Sequence, residues 1–219
     1  MLPGIDVSHW DGTIDWQTVK ASGYKFVYAK ATESTTYTDD TLIPNVNGAA
    51  SVGIPIGAYH FYRLAADPKA QADYFLSRIR DLKLELPPSL DFEEQSSLPT
   101  AAVAKSLKIW LDTVEAEVGR KPIIYSSAYF WNTYAGTPSW AGDYGLWVAN
   151  YTAAPAPLLP KGFKKYLIWQ YSDKGSVPGI TGDVDLDRFA GSEEDLAKFA
   201  GHAFVPPPPS LEEKVKELE

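Results

Sequence analysis

The sequence predicts an α/β fold, an irregular (β/α) TIM-like barrel that is less helical in its second half. Three observations carry this. Eight short runs, β-branched or aromatic and bounded by Gly or Pro, read as strands. The first five are separated by helix-length connections, the alternation that winds a parallel sheet. Between about 121 and 190, by contrast, the strands follow one another with little helix between them.

In chain order the strands are Pro3–Ser8, Tyr24–Ala31, Ile54–Tyr62, Pro88–Glu93, Pro122–Ser126, Gly145–Tyr151, Tyr166–Tyr171 and Asp183–Phe189. Helices are clearest over Pro68–Leu82 and Thr100–Val118. In the second, Val103, Leu107, Trp110, Leu111, Val114 and Val118 recur at helical spacing. A shorter helix follows over Ser192–Phe199, with Ser192 as N-cap. The barrel is assigned to residues 1–203. Residues 204–209 contain four consecutive prolines and read as a stiff, extended spacer. Residues 210–219 open with a capping box, Ser210 with Glu213, and place Leu211, Val215 and Leu218 on one stripe. That is the pattern of a self-association helix or of the first residues of a further domain.

Composition narrows the function. The chain has 219 residues, 45% of them hydrophobic, enough to bury a sizeable core. A net charge of -8 opposes a nucleic-acid partner, whose phosphates need clustered Lys and Arg. The absence of cysteine excludes disulfides, zinc-thiolate sites and thiol nucleophiles. The N-terminus lacks the basic and apolar regions of a signal peptide, and no stretch approaches the ~20 apolar residues of a membrane span. No membrane insertion is expected. Seven Trp and thirteen Tyr exceed what a core of this size needs, and the surplus suits the C–H faces of sugars.

In such barrels the working face lies at the C-terminal ends of the strands. Those ends supply Asp6, Lys30, Tyr59 to Tyr62 (with Tyr59 and Phe61 pointing inward), Asp91 with Glu93, Tyr125, Asn150 with Tyr151, Gln170, and the cluster Asp183, Asp185 and Asp187. Asp91 and Glu93 are two apart on a strand, so both face one way, with Cα atoms about 6.6 Å apart at roughly 3.3 Å per residue. Phe92 faces into packing. One such carboxyl can protonate a leaving oxygen while the other supports an oxocarbenium-like centre, the two requirements of glycoside hydrolysis. Mutual repulsion keeps one of them protonated near neutral pH. Glu93, with the longer reach, is the acid. The plainer reading is a pair of exposed residues at a strand end; three other acidic strand ends weigh against it. His9 reads as a local hydrogen-bonding residue and His60 as an outward, packed one. No metal site and no cofactor are expected.

The residues resemble glycoside hydrolase family 25, the Chalaropsis-type lysozymes of bacteria, fungi and phage endolysins. The resemblance is carried by Gly4-Ile5-Asp6-Val7-Ser8 with Trp10, Tyr28-Ala29-Lys30-Ala31-Thr32-Glu33, Gly57-Ala58-Tyr59-His60-Phe61 and Leu90-Asp91-Phe92-Glu93. Trp169-Gln170-Tyr171 and the run from Val177-Pro178-Gly179-Ile180 to Val184-Asp185-Leu186-Asp187 complete it, in family order. It implies cleavage of the β-1,4 bond between N-acetylmuramic acid and N-acetylglucosamine in bacterial peptidoglycan. It implies an acidic quartet of Asp6, Asp91, Glu93 and Asp185, with Glu93 the acid and Asp91 either a nucleophile or a support for the substrate's acetamido group. Lys30, Tyr37, Tyr59, Tyr125 and Trp147 would line the groove. Action on the wall would be extracellular, through a phage-type release or after removal of a leader, and a C-terminal wall-binding domain would fit the tail. Two departures stand out. Ser34 occupies a position where the family often has Gly, and Asp187 one often held by Asn. Two rival readings are a chitinase-like hydrolase, whose spaced-Asp motif is unmet because Pro87 and Ser89 stand at the earlier Asp positions, and a non-catalytic wall-binding barrel.

Overall fold

A computed structural model describes residues 1–201, so the expected spacer at 204–209 and the segment 210–219 lie outside the described residues. One sheet holds β1 (Leu2–Val7), β2 (Phe26–Glu33), β3 (Tyr37–Thr38), β4 (Ile56–Phe61), β5 (Ser89–Asp91), β6 (Ile123–Ser127), β7 (Gly145–Ala149), β8 (Ile168–Gly175) and β9 (Val184–Phe189). The order is β1-β9-β8-β7-β6-β5-β4-β2-β3, and β1 also pairs with β2. Eight strands therefore close into a barrel, and β3 hangs on β2 as a short hairpin arm. The barrel strands from β1 to β8 run parallel, whereas β9 is antiparallel to both neighbours.

The helices are α1 (Trp16–Ala21), α2 (Leu42–Ser51), α3 (Pro68–Ile79), α4 (Thr100–Val118), a single turn α5 (Ala128–Phe130) that runs into a π turn at Trp131–Ala135, and α6 (Glu193–Phe199). Asp15 and Asp67 cap α1 and α3, and Ser192 forms a capping box with Asp195 on α6. Gly119, at φ 72°, ends α4 in the left-handed conformation. The connections β7–β8 and β8–β9 carry no helix, so the second half is indeed the less helical one.

Alternation along the strands sorts the core into two layers. Outward residues such as Val27, Ala29, Ile56, Ala58, Leu90, Ile124 and Val148 pack beneath the helices. Inward residues Phe26, Tyr28, Ile123, Tyr125, Trp147 and Phe189 fill the barrel, and Leu196, Phe199 and Ala200 of the α6 region pack against them. Glycine makes room for the interior aromatics: a Cβ on Gly57 would lie 2.4 Å from the Tyr28 ring. Trp147 is central, with the Tyr28 and Tyr125 rings each 4.9 Å away.

Two expectations need correction. The strand expected to extend to Glu93 ends at Asp91, although Phe92 still donates its amide to the Tyr125 carbonyl at 2.9 Å, so the chain stays extended. The Asp183 to Asp187 cluster is not a C-terminal strand end. Because β9 is reversed, these residues belong to its start, which lies at the same mouth of the barrel as the ends of the other strands.

Candidate active site

At that mouth a cleft of about 200 Å³ is lined by Asp6, Ser8, Trp10, Lys30, Tyr59, Phe61, Asp91, Glu93, Tyr125, Trp147, Gln170 and Asp185. Of the residues expected at the strand ends, Asp6, Lys30, Tyr59, Phe61, Asp91, Glu93, Tyr125, Gln170 and Asp185 are there, whereas Asn150, Tyr151, Asp183 and Asp187 are not. Larger hollows exist, but the one of about 890 Å³ beside Lys164 and Lys165 holds a single carboxylate, Asp143. Convergent chemistry, not size, marks the cleft.

Each group is placed by a local device. Val7 ends β1, and Ser8 then caps a tight turn at His9–Asp11, accepting from the Trp10 amide at 3.3 Å while its own amide bonds Asp11 Oδ2 at 2.8 Å. The turn carries Trp10 out to the cleft edge, where it is 85% exposed. Asp91 is buried, and its neighbour Phe92 is anchored through a carbonyl that accepts the Ser126 hydroxyl at 2.7 Å. Lys30 Nζ bonds Glu33 at 2.8 Å and lies 4.8 Å from the centre of the Phe61 ring. Arg63 clasps Glu33 from the other side, at 2.6 and 2.9 Å.

Burial dominates the electrostatics. It pushes the Asp91 carboxyl well above the usual carboxylate range; Glu93 adds to this and Lys30 opposes it. Burial also raises Glu93, against the charges of Lys30 and Arg63. Asp185 is raised to about 7 by burial and then by the charges of Asp11, Asp173 and Glu93. Asp6 is raised by burial and by Asp185 and Asp187. A cleft that keeps several carboxyls protonated can deliver a proton near neutral pH.

The remaining candidates sit at the periphery. Tyr37, on β3, is 39% exposed; its hydroxyl meets His9 Nδ1 at 3.2 Å, and its ring lies 5.5 Å from Lys30 Nζ. Tyr151 is 51% exposed in the loop after β7 and reaches inward through a 2.8 Å bond to Gln170. His9 bonds Asp39 at 2.8 Å, a local role as expected. His60 is fully buried outside the barrel, held by Thr32 at 2.7 Å and Gln71 at 3.2 Å. Asp183 is exposed and does not line the cleft. Sequence reasoning did not select Ser8 or Trp10 as lining residues, nor Glu33 and Arg63 as the support of Lys30. Trp10 entered only as part of the motif that carries the resemblance, and the Glu33–Arg63 pair spans 30 residues with no local signal that joins them.

The sequence pattern of glycosyl hydrolases family 25 matches residues 5–180. The chain is 41% identical to lysozyme M1 of Streptomyces globisporus over 218 residues, covering 92% of this chain and 72% of that one. It is 30% identical to the N,O-diacetylmuramidase of Chalaropsis sp., covering 91% and 99%. The crystal structure of a bacterial lysozyme from Streptomyces coelicolor superposes with a TM-score of 0.84 at 39% identity, covering 91% of this chain and 96% of that one. With the closed barrel and its acidic mouth, these matches show that the chain belongs to glycosyl hydrolases family 25.

Proposed function

We propose that the chain is an N-acetylmuramidase that cleaves the β-1,4 bond between N-acetylmuramic acid and N-acetylglucosamine in bacterial peptidoglycan. Similarity to lysozymes and to an N,O-diacetylmuramidase supports the substrate class. The observation that carries the chemistry is the pairing of Asp91 and Glu93 at one strand end, in a cleft where Glu93 keeps its proton above the ordinary range and one cation, Lys30, faces both. Glu93 protonates the glycosidic oxygen. Asp91 supports the oxocarbenium-like centre, either as nucleophile or through the substrate's acetamido group. Asp6 and Asp185 complete the acidic rim, and Tyr59, Phe61, Tyr125 and Trp147 present faces and edges to the sugar rings, with Trp10, Tyr37 and Tyr151 at the margins. The substrate lies outside the cytoplasmic membrane, so the enzyme acts there.

The test is Glu93→Gln, which keeps shape and removes the proton. Clearing of a cell-wall suspension should fall by about 10²–10⁴-fold while wall binding persists. Undiminished clearing would remove Glu93 from the acid's role. New reducing ends on muramic acid identify the bond, and turnover of chitin in its place would favour the chitinase-like reading. A wall with N-deacetylated muramic acid separates the routes for Asp91. A nucleophilic Asp91 still cleaves it, whereas an acetamido-dependent route does not.

A further inference from the structure

Beneath the cleft, a second pair of carboxyls meets. Asp187 is 1% exposed and Asp6 is 6% exposed. Across the β1–β9 ladder Asp6 faces Asp185, and Asp187 faces Gly4, which brings no side chain. The two-residue period turns both aspartates into the barrel as diagonal neighbours, within side-chain reach of each other across the ladder.

The donors around this pair leave one buried carboxylate oxygen unpaired. Trp147 Nε1 can only donate, and it gives its proton to Asp187 Oδ1 at 2.8 Å. The Gln170 amide nitrogen donates to Asp6 Oδ2 at 2.7 Å, while its oxygen accepts the hydroxyls of Tyr125 and Tyr151, each at 2.8 Å. Asp187 Oδ2 is fully buried and has no other partner among the described residues. Turning the Gln170 amide over would draw Asp6's proton to Gln170 and leave Asp187 Oδ2 bare. Two ionised carboxylates in contact at this depth would be costly. We propose that Asp6 and Asp187 hold one proton between them, donated by Asp6 to Asp187 Oδ2, and that Asp187 is thereby the positioning residue for Asp6, Gln170 and the two tyrosines. The bearing of this dyad on catalysis rests on the muramidase reading; the shared proton does not.

The titratable groups facing the pair are Tyr28 from β2, Tyr59 from β4, Asp91 from β5, Tyr125 from β6, Tyr151 from the loop after β7 and Asp185 from β9. Lys30 is engaged by Glu33, and neither member of the dyad is hydrogen-bonded to a Lys or Arg among the described residues. Burial is the chief cause that retains the shared proton, and the charge of Asp185 reinforces it.

The informative variant is Asp187→Asn, whose oxygen can still accept from Trp147 while its nitrogen donates to Asp6, so that Asp6 ionises. A ¹³C titration of the aspartate carboxyls in the full chain should show one signal, besides those of Asp91 and Asp185, titrating well above the ordinary range. That signal should be lost in Asp187→Asn and in Asp6→Asn. A proton held in the fold but not in the unfolded chain stabilises below the ordinary carboxylate pKa, and this stability is lost as pH rises through the dyad's folded value. Relative to wild type, Asp187→Asn should therefore gain roughly 3 °C or more in Tm between pH 4.5 and 8. Ordinary titration of every aspartate other than Asp91 and Asp185 in the wild type, or parallel Tm curves for the two proteins, would overturn the proposal. Neither readout depends on activity, so the dyad and the muramidase reading fail separately.

Discussion

Lys30 governs how much negative charge the cleft tolerates. Its ammonium lowers the pKa of both Asp91 and Glu93 against the upward push of burial, and Glu33, itself clasped by Arg63, holds it in place. Lys30→Met keeps most of the stem and removes the charge. Glu93 should then keep its proton to higher pH, so the alkaline limb of kcat/KM moves upward. Asp91 should ionise less readily, and kcat should drop at least ~10-fold. A pH–rate profile checks both; an unmoved alkaline limb would show that Lys30 does not act on the acid's ionisation. At this scale the sequence was legible wherever period two decides orientation, as with Asp91 against Phe92. It was silent where depth decides. Asp185 and Asp187 share a face by the same rule, and only the register against β1 puts one in the cleft and the other beneath it.

Among the elements, the β2–β3 turn carries local strain. Ser34 adopts φ 54°, a left-handed conformation that glycine takes at no steric cost, and its amide bonds the Phe61 carbonyl at 3.3 Å. Relieving the strain is worth about 1 kcal/mol, less the added freedom of an unfolded glycine. Ser34→Gly should therefore raise Tm by roughly 1–3 °C in a melting experiment, and a fall would show that the turn is unstrained. The strand runs and α4 announced themselves, because β-branched clusters and a sustained helical period survive any tertiary context. The helix α2 did not: Leu42–Ser51 contains Pro44 and Gly48, poor helix formers. It is stabilised by packing, with Trp16 lying so close to Gly48 that a Cβ there would meet the indole at 2.0 Å. The direction of β9 was equally hidden, since alternation reads the same from either end.

For the whole molecule, the cleft sets the pH at which the fold is firmest. Asp91, Glu93, Asp185 and the Asp6–Asp187 pair all hold protons in the fold above their ordinary pKa, so each contributes stability that is present at low pH and lost as pH rises through its folded value, about 7 for Asp185. His60 works the other way. Burial lowers it to about 4, so its contribution is full above ~6.5 and declines as pH falls toward 4. The carboxyls outnumber the histidine, and a chain of net charge -8 also loses self-repulsion on acidification. Tm should therefore rise from pH 8 to about pH 5. A calorimetric series that is flat or falls over that interval would mean that the cleft acids are ionised in the fold.

The reversed final strand has a consequence for attachment. β1 leaves the face opposite the cleft, as every parallel strand of the barrel does, and Leu2 pairs with Phe189 there, so β9 returns the chain to the side from which it started. A ninth strand running parallel would have ended beside the acids and needed another helix to bring the chain back. Instead, both ends of the described chain lie on the far side of the barrel. Anything joined beyond Gly201 would therefore start on the side away from the cleft, leaving the acidic mouth free.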